Sequence, residues 1–361
     1  MILCWRFKHF LIICLLVAIF LNNGNAQGVF DSISKEVNKI FEAASPSVVK
    51  VRALSGTRPR AGTGFFIDNS GTLLTSYAII LDSNKAWVEY QDKKFTAKVL
   101  GKDPRSGVAL LKIDAQKTPF LTMGDSDQLK MASGLVSVAY PYNLPLAPAF
   151  GFVTGFDVRY LNRFFATTHI RANVAISPGQ IGGPLLNTKG EVVGLMVLAV
   201  QKGKECYALP MTSVKRIISD FEAGGEARHG WVGVGVVEGP VLESGERPVV
   251  VSNLFRGTPA AESGLQPGDI VKKIGKKPIQ IPSDILDAAF FSEVGKPVEV
   301  QIVRKGKKLV FDLPIVERPE ESAAVNSLIA PGRDTLIAPF VSPEPKKSQV
   351  KPVQAPATQS Y

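Results

Sequence analysis

Along residues 30–44, apolar side chains recur at spacings of three and four (Phe30, Ile33, Val37, Ile40, Phe41). That period predicts an amphipathic helix, with Asp31 or Ser32 placed to cap its start. Beyond it the pattern changes to short apolar or alternating stretches separated by turn residues. They fall at 47–54, 62–67, 72–76, 86–90, 95–100, 108–113, 134–140, 150–156, 168–174, 192–200 and 206–209. In Phe95-Thr96-Ala97-Lys98-Val99 the two faces alternate cleanly, as in a half-buried strand. So many short strands with no helices between them predict barrels or sandwiches rather than an α/β fold. A helix over 213–222 closes this region, and Gly224-Gly225 ends it.

A polar stretch, 226–229, leads into a second unit with strands at 232–237, 249–253, 270–274, 298–304 and 309–313. Helices fit 259–263 and 283–291. Arg304-Lys305-Gly306-Lys307-Lys308 reads as a solvated hairpin turn. From 318 onward Pro, Ala, Ser, Glu and Lys dominate, which predicts a disordered tail. Only two similar apolar clusters, 328–330 and 336–338, interrupt it. Residues 1–26 read as an export signal: Arg6 and Lys8, then an apolar run, then small residues Gly24 and Ala26. The run is too short to span a bilayer; an uncleaved, membrane-associated form is the alternative. The expected organisation is therefore 1–26 signal, 27–45 helical segment, 46–225 first folded domain, 226–229 linker, 230–317 second domain and 318–361 tail.

The chain has 361 residues, is 45% apolar and carries a formal charge of +10. Loss of the signal removes Cys4, Cys14 and two positive charges, leaving +8 and Cys206 alone. A disulfide-stapled scaffold is thereby excluded. No basic block interleaved with aromatics supports nucleic-acid binding. No His or Cys spacing suggests a zinc site; no metal and no cofactor is expected.

The chemistry-bearing pattern is Pro178-Gly179-Gln180-Ile181-Gly182-Gly183-Pro184-Leu185. Ordered around it are Ser47-Val48-Val49-Lys50-Val51, Gly62-Thr63-Gly64-Phe65-Phe66-Ile67-Asp68, Leu73-Leu74-Thr75, Asp103-Pro104, Val108-Ala109-Leu110-Leu111-Lys112-Ile113 and Leu121-Thr122-Met123-Gly124-Asp125-Ser126. Together these blocks resemble the protease domain of the HtrA family, implying a trypsin-like double β-barrel. The second unit resembles that family's PDZ domain through Gly230-Trp231-Val232-Gly233-Val234, Gly257-Thr258-Pro259-Ala260-Ala261, Gly264-Leu265-Gln266-Pro267-Gly268-Asp269 and Val303-Arg304-Lys305-Gly306. The fold class expected is mainly β, with an α+β PDZ domain behind the barrels.

The resemblance locates the catalytic triad position by position, and all three members are replaced. Ala78 stands at the histidine position, Gly107 at the aspartate and Ile181 at the serine. An isoleucine has no nucleophile to activate, so the chain is expected to be a pseudoprotease rather than an enzyme. The turn Gly179-Gln180-Ile181 is a vestigial oxyanion element, or a turn retained because its glycines are sterically needed. By the same resemblance Val232, Gly233 and Val234 form a carboxylate-binding nest, and Ile285, Leu286 and Ala289 line a peptide groove. The function implied is non-catalytic binding of C-terminal or unfolded peptides in the cell envelope, periplasmic or extracellular. Its role would be that of a chaperone, scaffold or regulator of protein quality control. Assembly as a homo-trimer around Phe30 and Phe41, or with an active paralogue, is also implied. The flexible tail suggests that Tyr361 docks in a PDZ groove. Two alternatives stand beside this reading. One is an active serine endopeptidase using other residues, such as His169 with Ser177; the other is a purely structural partner of an active paralogue.

Overall fold

The computed structural model describes residues 25–318 apart from Gly56, Asn84, Leu161 and Asn162. Residues 1–24 of the expected signal and 319–361 of the expected tail, with Tyr361, lie outside the described residues. The first element, α1 (Asn25–Ala44), starts before the expected cap. Ser32 therefore caps nothing; it sits inside the helix, its hydroxyl donating to the Gly28 carbonyl at 2.7 Å. The apolar period missed the extra turns because nothing covers them: Val29 and Phe30 are exposed, whereas Ile40 and Ala44 are buried.

A closed barrel follows, built from β1 (Val48–Ser55), β2 (Arg58–Phe66), β3 (Thr72–Ser76), β4 (Ala86–Tyr90), β5 (Lys93–Asp103) and β6 (Val108–Ile113). Its strand order is β1-β2-β3-β6-β5-β4, with β4 pairing back onto β1. The short helix α2 (Tyr77–Ile80), which the pattern did not announce, leaves the end of β3. Inward residues such as Val51, Phe66, Leu73, Val88 and Leu111 are fully buried. Short apolar runs bounded by turn residues made these strands readable, with clean alternation in β4.

The second closed barrel comprises β7 (Gly134–Ala139), β8 (Ala147–Tyr160), β9 (Arg163–Ala172), β10 (Pro184–Leu186), β11 (Val192–Val200) and β12 (Glu205–Pro210). It runs β10-β11-β12-β9-β8-β7 and closes through β7 on β10. The three-residue β10 was missed, since three buried residues carry no period. Helix α3 (Met211–Gly224) then packs Met211, Val214, Ile217, Ile218 and Phe221 inward. It ends at Gly225 in the left-handed region, φ 80°, as a helix C-terminus commonly does. The Phe221 ring fills the space beside Gly101, where an added Cβ would lie 2.3 Å from it.

The second domain contains β13 (Gly230–Trp231), β14 (Val234–Glu238), β15 (Val249–Leu254), α4 (Pro259–Glu262), β16 (Ile270–Ile274), β17 (Lys277–Pro278), α5 (Asp284–Phe290), β18 (Pro297–Arg304), β19 (Lys307–Pro314) and β20 (Val316–Glu317). The sheet order is β14-β15-β16-β18-β19, with β17 on β16 and β13 paired separately with β20. β14 begins later than the pattern predicted because Gly233, φ 74°, interrupts the extended run. The β18–β19 turn does fall at Lys305-Gly306, both at positive φ. Arg304, however, is not part of a free solvated turn. Its guanidinium grips the buried Asp269 at 2.6 and 2.7 Å and donates to the Gly264 carbonyl. The fork geometry suits arginine. Among the described residues no helix is long and apolar enough to cross a membrane.

Candidate functional site

Ala78, Gly107 and Ile181, the residues expected at the triad positions, lie near one another where the barrels meet. Ser76 ends β3 and caps α2 by accepting the Ala78 amide at 3.2 Å. The Tyr77 amide donates to the Gly107 carbonyl at 2.8 Å, which ties the first two positions together. The Ile181 carbonyl accepts from the Thr63 amide at 2.9 Å. Gly62 is so close that a Cβ would lie 2.5 Å from Ile79 and 2.9 Å from the Ile181 oxygen. The Ile181 side chain is half-buried and packs against the apolar clusters of both barrels. Gly107 sits at φ 80°, and a Cβ there would be 3.2 Å from Val197 Cγ1. Where an acid side chain would project, Val197 presents an isopropyl group. Ala78 and Ile181 thus carry only hydrocarbon side chains, and Gly107 carries none and is flanked by Val197.

The turn around Ile181 is held from outside as well as within. Thr63 Oγ1 donates to the Gly179 carbonyl at 2.8 Å, and the Tyr142 amide to that of Pro178 at 2.6 Å. The amides of Gln180, Gly182 and Gly183 donate to Ser177, Met196 and Gln180 carbonyls. The buried Gln180 side chain accepts from the Ser177 amide. A Cβ on Gly182 would meet the Thr63 carbonyl at 2.3 Å, and one on Gly179 the Tyr140 carbonyl at 2.6 Å. These positions need glycine for space and for backbone angle alike.

His169 is buried on the β9 barrel wall. Its Nδ1 lies 2.8 Å from the Thr167 carbonyl and its ring stacks on Phe165. Burial pulls its pKa down to about 4, against smaller upward pulls from Thr167 and Asp287. Among the described residues no hydrogen bond joins it to Ser177. Burial likewise pushes the lone Cys206 thiol up to about 12. Among the described residues no group of three or more His, Cys, Asp or Glu side chains is placed to hold a metal ion.

Sequence reasoning missed a buried pair: His229 Nε2 lies 2.9 Å from Asp103 Oδ2. Asp103 also accepts the amides of Arg105 and Ser106, holding the turn that carries Gly107. Burial raises its carboxyl, but His229 and Ser106 outweigh that and leave it below the ordinary value. A second missed residue is Asp287 of α5. Thr167 Oγ1, the Thr168 amide and Thr168 Oγ1 donate to it at 2.6, 2.8 and 2.8 Å. With Phe290 in the same apolar cluster as α3 and both barrels, these contacts seat the second domain on β9. The partners are more than a hundred residues apart in the chain, so no local pattern could announce them.

Five of the six residues expected to form the carboxylate nest and peptide groove also come together, Gly233 being the exception. Val232, Val234, Ile285, Leu286 and Ala289 line one pocket of about 50 Å³, closed by Ala166 of β9, His229 and Phe290. β14 forms one edge of the sheet beside it. Gly233 allows the turn at its mouth: a Cβ would lie 2.5 Å from Thr258 Oγ1. A larger cleft, about 810 Å³, opens elsewhere between β9 and the second domain, flanked by Phe156, Thr168, Phe291 and Lys296. None of Ala78, Gly107 and Ile181 borders it.

Two six-stranded closed barrels, followed by a small sheet with a helix beside its edge, define a trypsin-like domain joined to a PDZ domain. Residues 62–195 match the trypsin-like peptidase domain family, and residues 233–315 match the PDZ domain family. The chain is 30% identical over 272 residues to a probable periplasmic serine endoprotease, DegP-like, of Chlamydia trachomatis, covering 72% of this chain and 54% of that protein. It is 28% identical over 318 residues to the protein so described in Pseudomonas fulva, covering 84% and 66%. The chain thus spans roughly half to two thirds of the length of these relatives. The HtrA-type protease AlgW with a tripeptide superposes with a TM-score of 0.69 at 22% identity, over 79% of this chain and 98% of that one. A serine endoprotease from Yersinia pestis gives 0.60 at 23% identity, over 78% and 98%. The chain thus carries a trypsin-like peptidase domain followed by a PDZ domain and is similar in sequence to DegP-like proteins.

Proposed function

We propose that this chain is an exported, non-catalytic HtrA-type protein that binds C-terminal or unfolded segments of other polypeptides through its PDZ groove. The observation that carries the reading is Ala78, Gly107 and Ile181 at the triad positions, with Val197 against Gly107. No group there can act as nucleophile or base. The edge strand β14 beside an apolar pocket supports peptide capture by strand addition. Similarity to periplasmic DegP-like proteins supports a place in the cell envelope. Its role there is that of a chaperone, scaffold or regulator of protein quality control. Exposed Val29 and Phe30 on α1 support assembly with further copies or with an active paralogue. The test pairs casein turnover with binding of free-carboxylate peptides by the purified chain. Binding without turnover is expected. Cleavage that survives repurification and disappears in His169→Ala would overturn the reading in favour of a rebuilt endopeptidase site.

A further inference from the structure

The sheet of the second domain has two edges: β14, beside the apolar pocket, and β19 on the far side. We propose that β19 pairs antiparallel with β19 of a second copy of this chain, joining two of these sheets into one about a two-fold axis at Val310. The inference does not depend on what the groove beside β14 binds.

β19 is open for pairing along its length. It runs eight residues and follows β18 without a bulge. Among the described residues it pairs with no strand but β18, and no other hydrogen bond reaches residues 307–314. The two-residue turn Lys305-Gly306, both at positive φ, makes Arg304 and Lys307 a hydrogen-bonded pair. The backbone groups of Leu309, Phe311 and Leu313 therefore also face β18. Those of Lys308, Val310 and Asp312 face away from it, towards solvent. Sheet edges are commonly blunted by bulges, by proline or by lysine. Here there is no bulge, and Pro314 stands beyond the three outward-facing residues. Lys308 alone guards the edge, and it does so only until an acid meets it.

The charges fit a second copy. Lys308, Val310 and Asp312 share the outer face of the sheet, and all three are exposed. Among the described residues neither Lys308 nor Asp312 has an ion-pair partner. Asp312 instead lies directly opposite Glu299 of β18, and Lys308 opposite Val303. Like charges directly opposite one another are unfavourable. Antiparallel pairing centred on Val310 sets Lys308 of each copy opposite Asp312 of the other, bringing a cation to each pair of acids. Val310, 58% exposed, meets its own counterpart on the axis. On the inner face the half-buried Leu309 of each copy lies opposite Phe311 of the other, an aliphatic–aromatic pair. A slip by one pairing step in either direction places Lys308 or Asp312 opposite Val310 and loses the match. Such a two-fold contact uses the same patch on both copies and closes on itself. Both β14 edges stay free at the far ends of the joined sheet.

The test is sedimentation velocity of the full purified chain over a concentration series, because an edge junction is a small interface whose occupancy depends on concentration. Lys308→Asp and Asp312→Lys each set like charges opposite one another at both ends of the junction. Either should weaken association about tenfold. The double variant, Lys308→Asp with Asp312→Lys, restores opposite charges and should associate as the parent does. An equimolar mixture of the two single variants should also associate, since one presents two acids and the other two cations. Assembly through α1 is the same in every variant and cannot produce this pattern. A parent that sediments like the single variants at every concentration overturns the proposal. So does a double variant that has the parent's melting temperature yet associates no better than the singles.

Discussion

His169 makes the fold acid-sensitive in a window that its carboxylates do not share. It is 2% exposed, its ring lies on Phe165, and its Nδ1 contact is a backbone carbonyl rather than a carboxylate. Burial holds its pKa at about 4, against an ordinary 6.5. Between those values the unfolded chain binds a proton that the folded chain does not. Stability is therefore complete above pH 6.5 and falls progressively as pH drops towards 4. The linked free energy at pH 4 is about 3 kcal/mol, a large share of the 5–15 kcal/mol typical of a folded domain. Asp68, Asp103 and Asp269 are all shifted downward. Their contributions are present above the ordinary carboxylate value and are lost only as pH falls below it. Urea unfolding at pH 7.5, 6.5, 5.5 and 4.5, on the parent chain and on His169→Gln, separates the two groups. The parent should lose about 2–3 kcal/mol across the series, and most of that loss should be absent in the variant. Parallel profiles for the two proteins would refute the assignment to His169.

Three further outcomes follow from the same geometry. Restoring the triad residues together, Ala78→His, Gly107→Asp and Ile181→Ser, should leave casein cleavage at background. Gly107 is at φ 80° with Val197 3.2 Å from its Cβ direction, so an aspartate there is both strained and misdirected; cleavage above the parent would sink the argument. Gly233→Val should lower stability by about 1–3 kcal/mol, because φ is 74° and Thr258 lies 2.5 Å from the new Cβ; an unchanged melting temperature would contradict it. Asp287→Ala strips three hydrogen bonds from the interface and should cost about 1–3 kcal/mol while speeding proteolysis at 226–229. A variant cut no faster than the parent would show that Asp287 does not hold the domains together.

Legibility followed burial. Where an apolar run is long enough and bounded by turn residues, whether it alternates in burial as in β4 and β16 or is buried nearly throughout as in β3, β6 and β11, the pattern placed both ends correctly. Where an element is very short, as in β10, β13, β17 and β20, or has unpartnered turns, as at the start of α1, the period had nothing to register. Where the expected triad positions fall was legible in the motif blocks, which fix register independently of packing. What closes those positions was not: Val197 reads as an ordinary strand residue, and its meeting with Gly107 is ninety residues distant in the chain. The same holds for His229 with Asp103 and for Asp287 with Thr167 and Thr168. Polar residues in a linker and on a short helix give no sign of burial until the partner that satisfies them is known.

The glycines of the Gly179-Gln180-Ile181-Gly182-Gly183 turn have a steric reason that does not require substrate. Gly182 lies where any side chain would strike the Thr63 carbonyl, the Thr75 hydroxyl and the Ser76 amide. Gly179 is pressed on the Tyr140 carbonyl, and its own carbonyl is taken by Thr63. Thr63 in turn accepts the Tyr140 amide, so one hydroxyl joins the turn to β7. The turn is thus a junction between the barrels, and altering its glycines would disturb both. Ile181 has no such constraint on its side chain, which projects between two apolar clusters. A serine there would leave that space underfilled and add a hydroxyl to an apolar setting. Isoleucine at this position therefore joins the two cores, and its side chain is explained by packing alone.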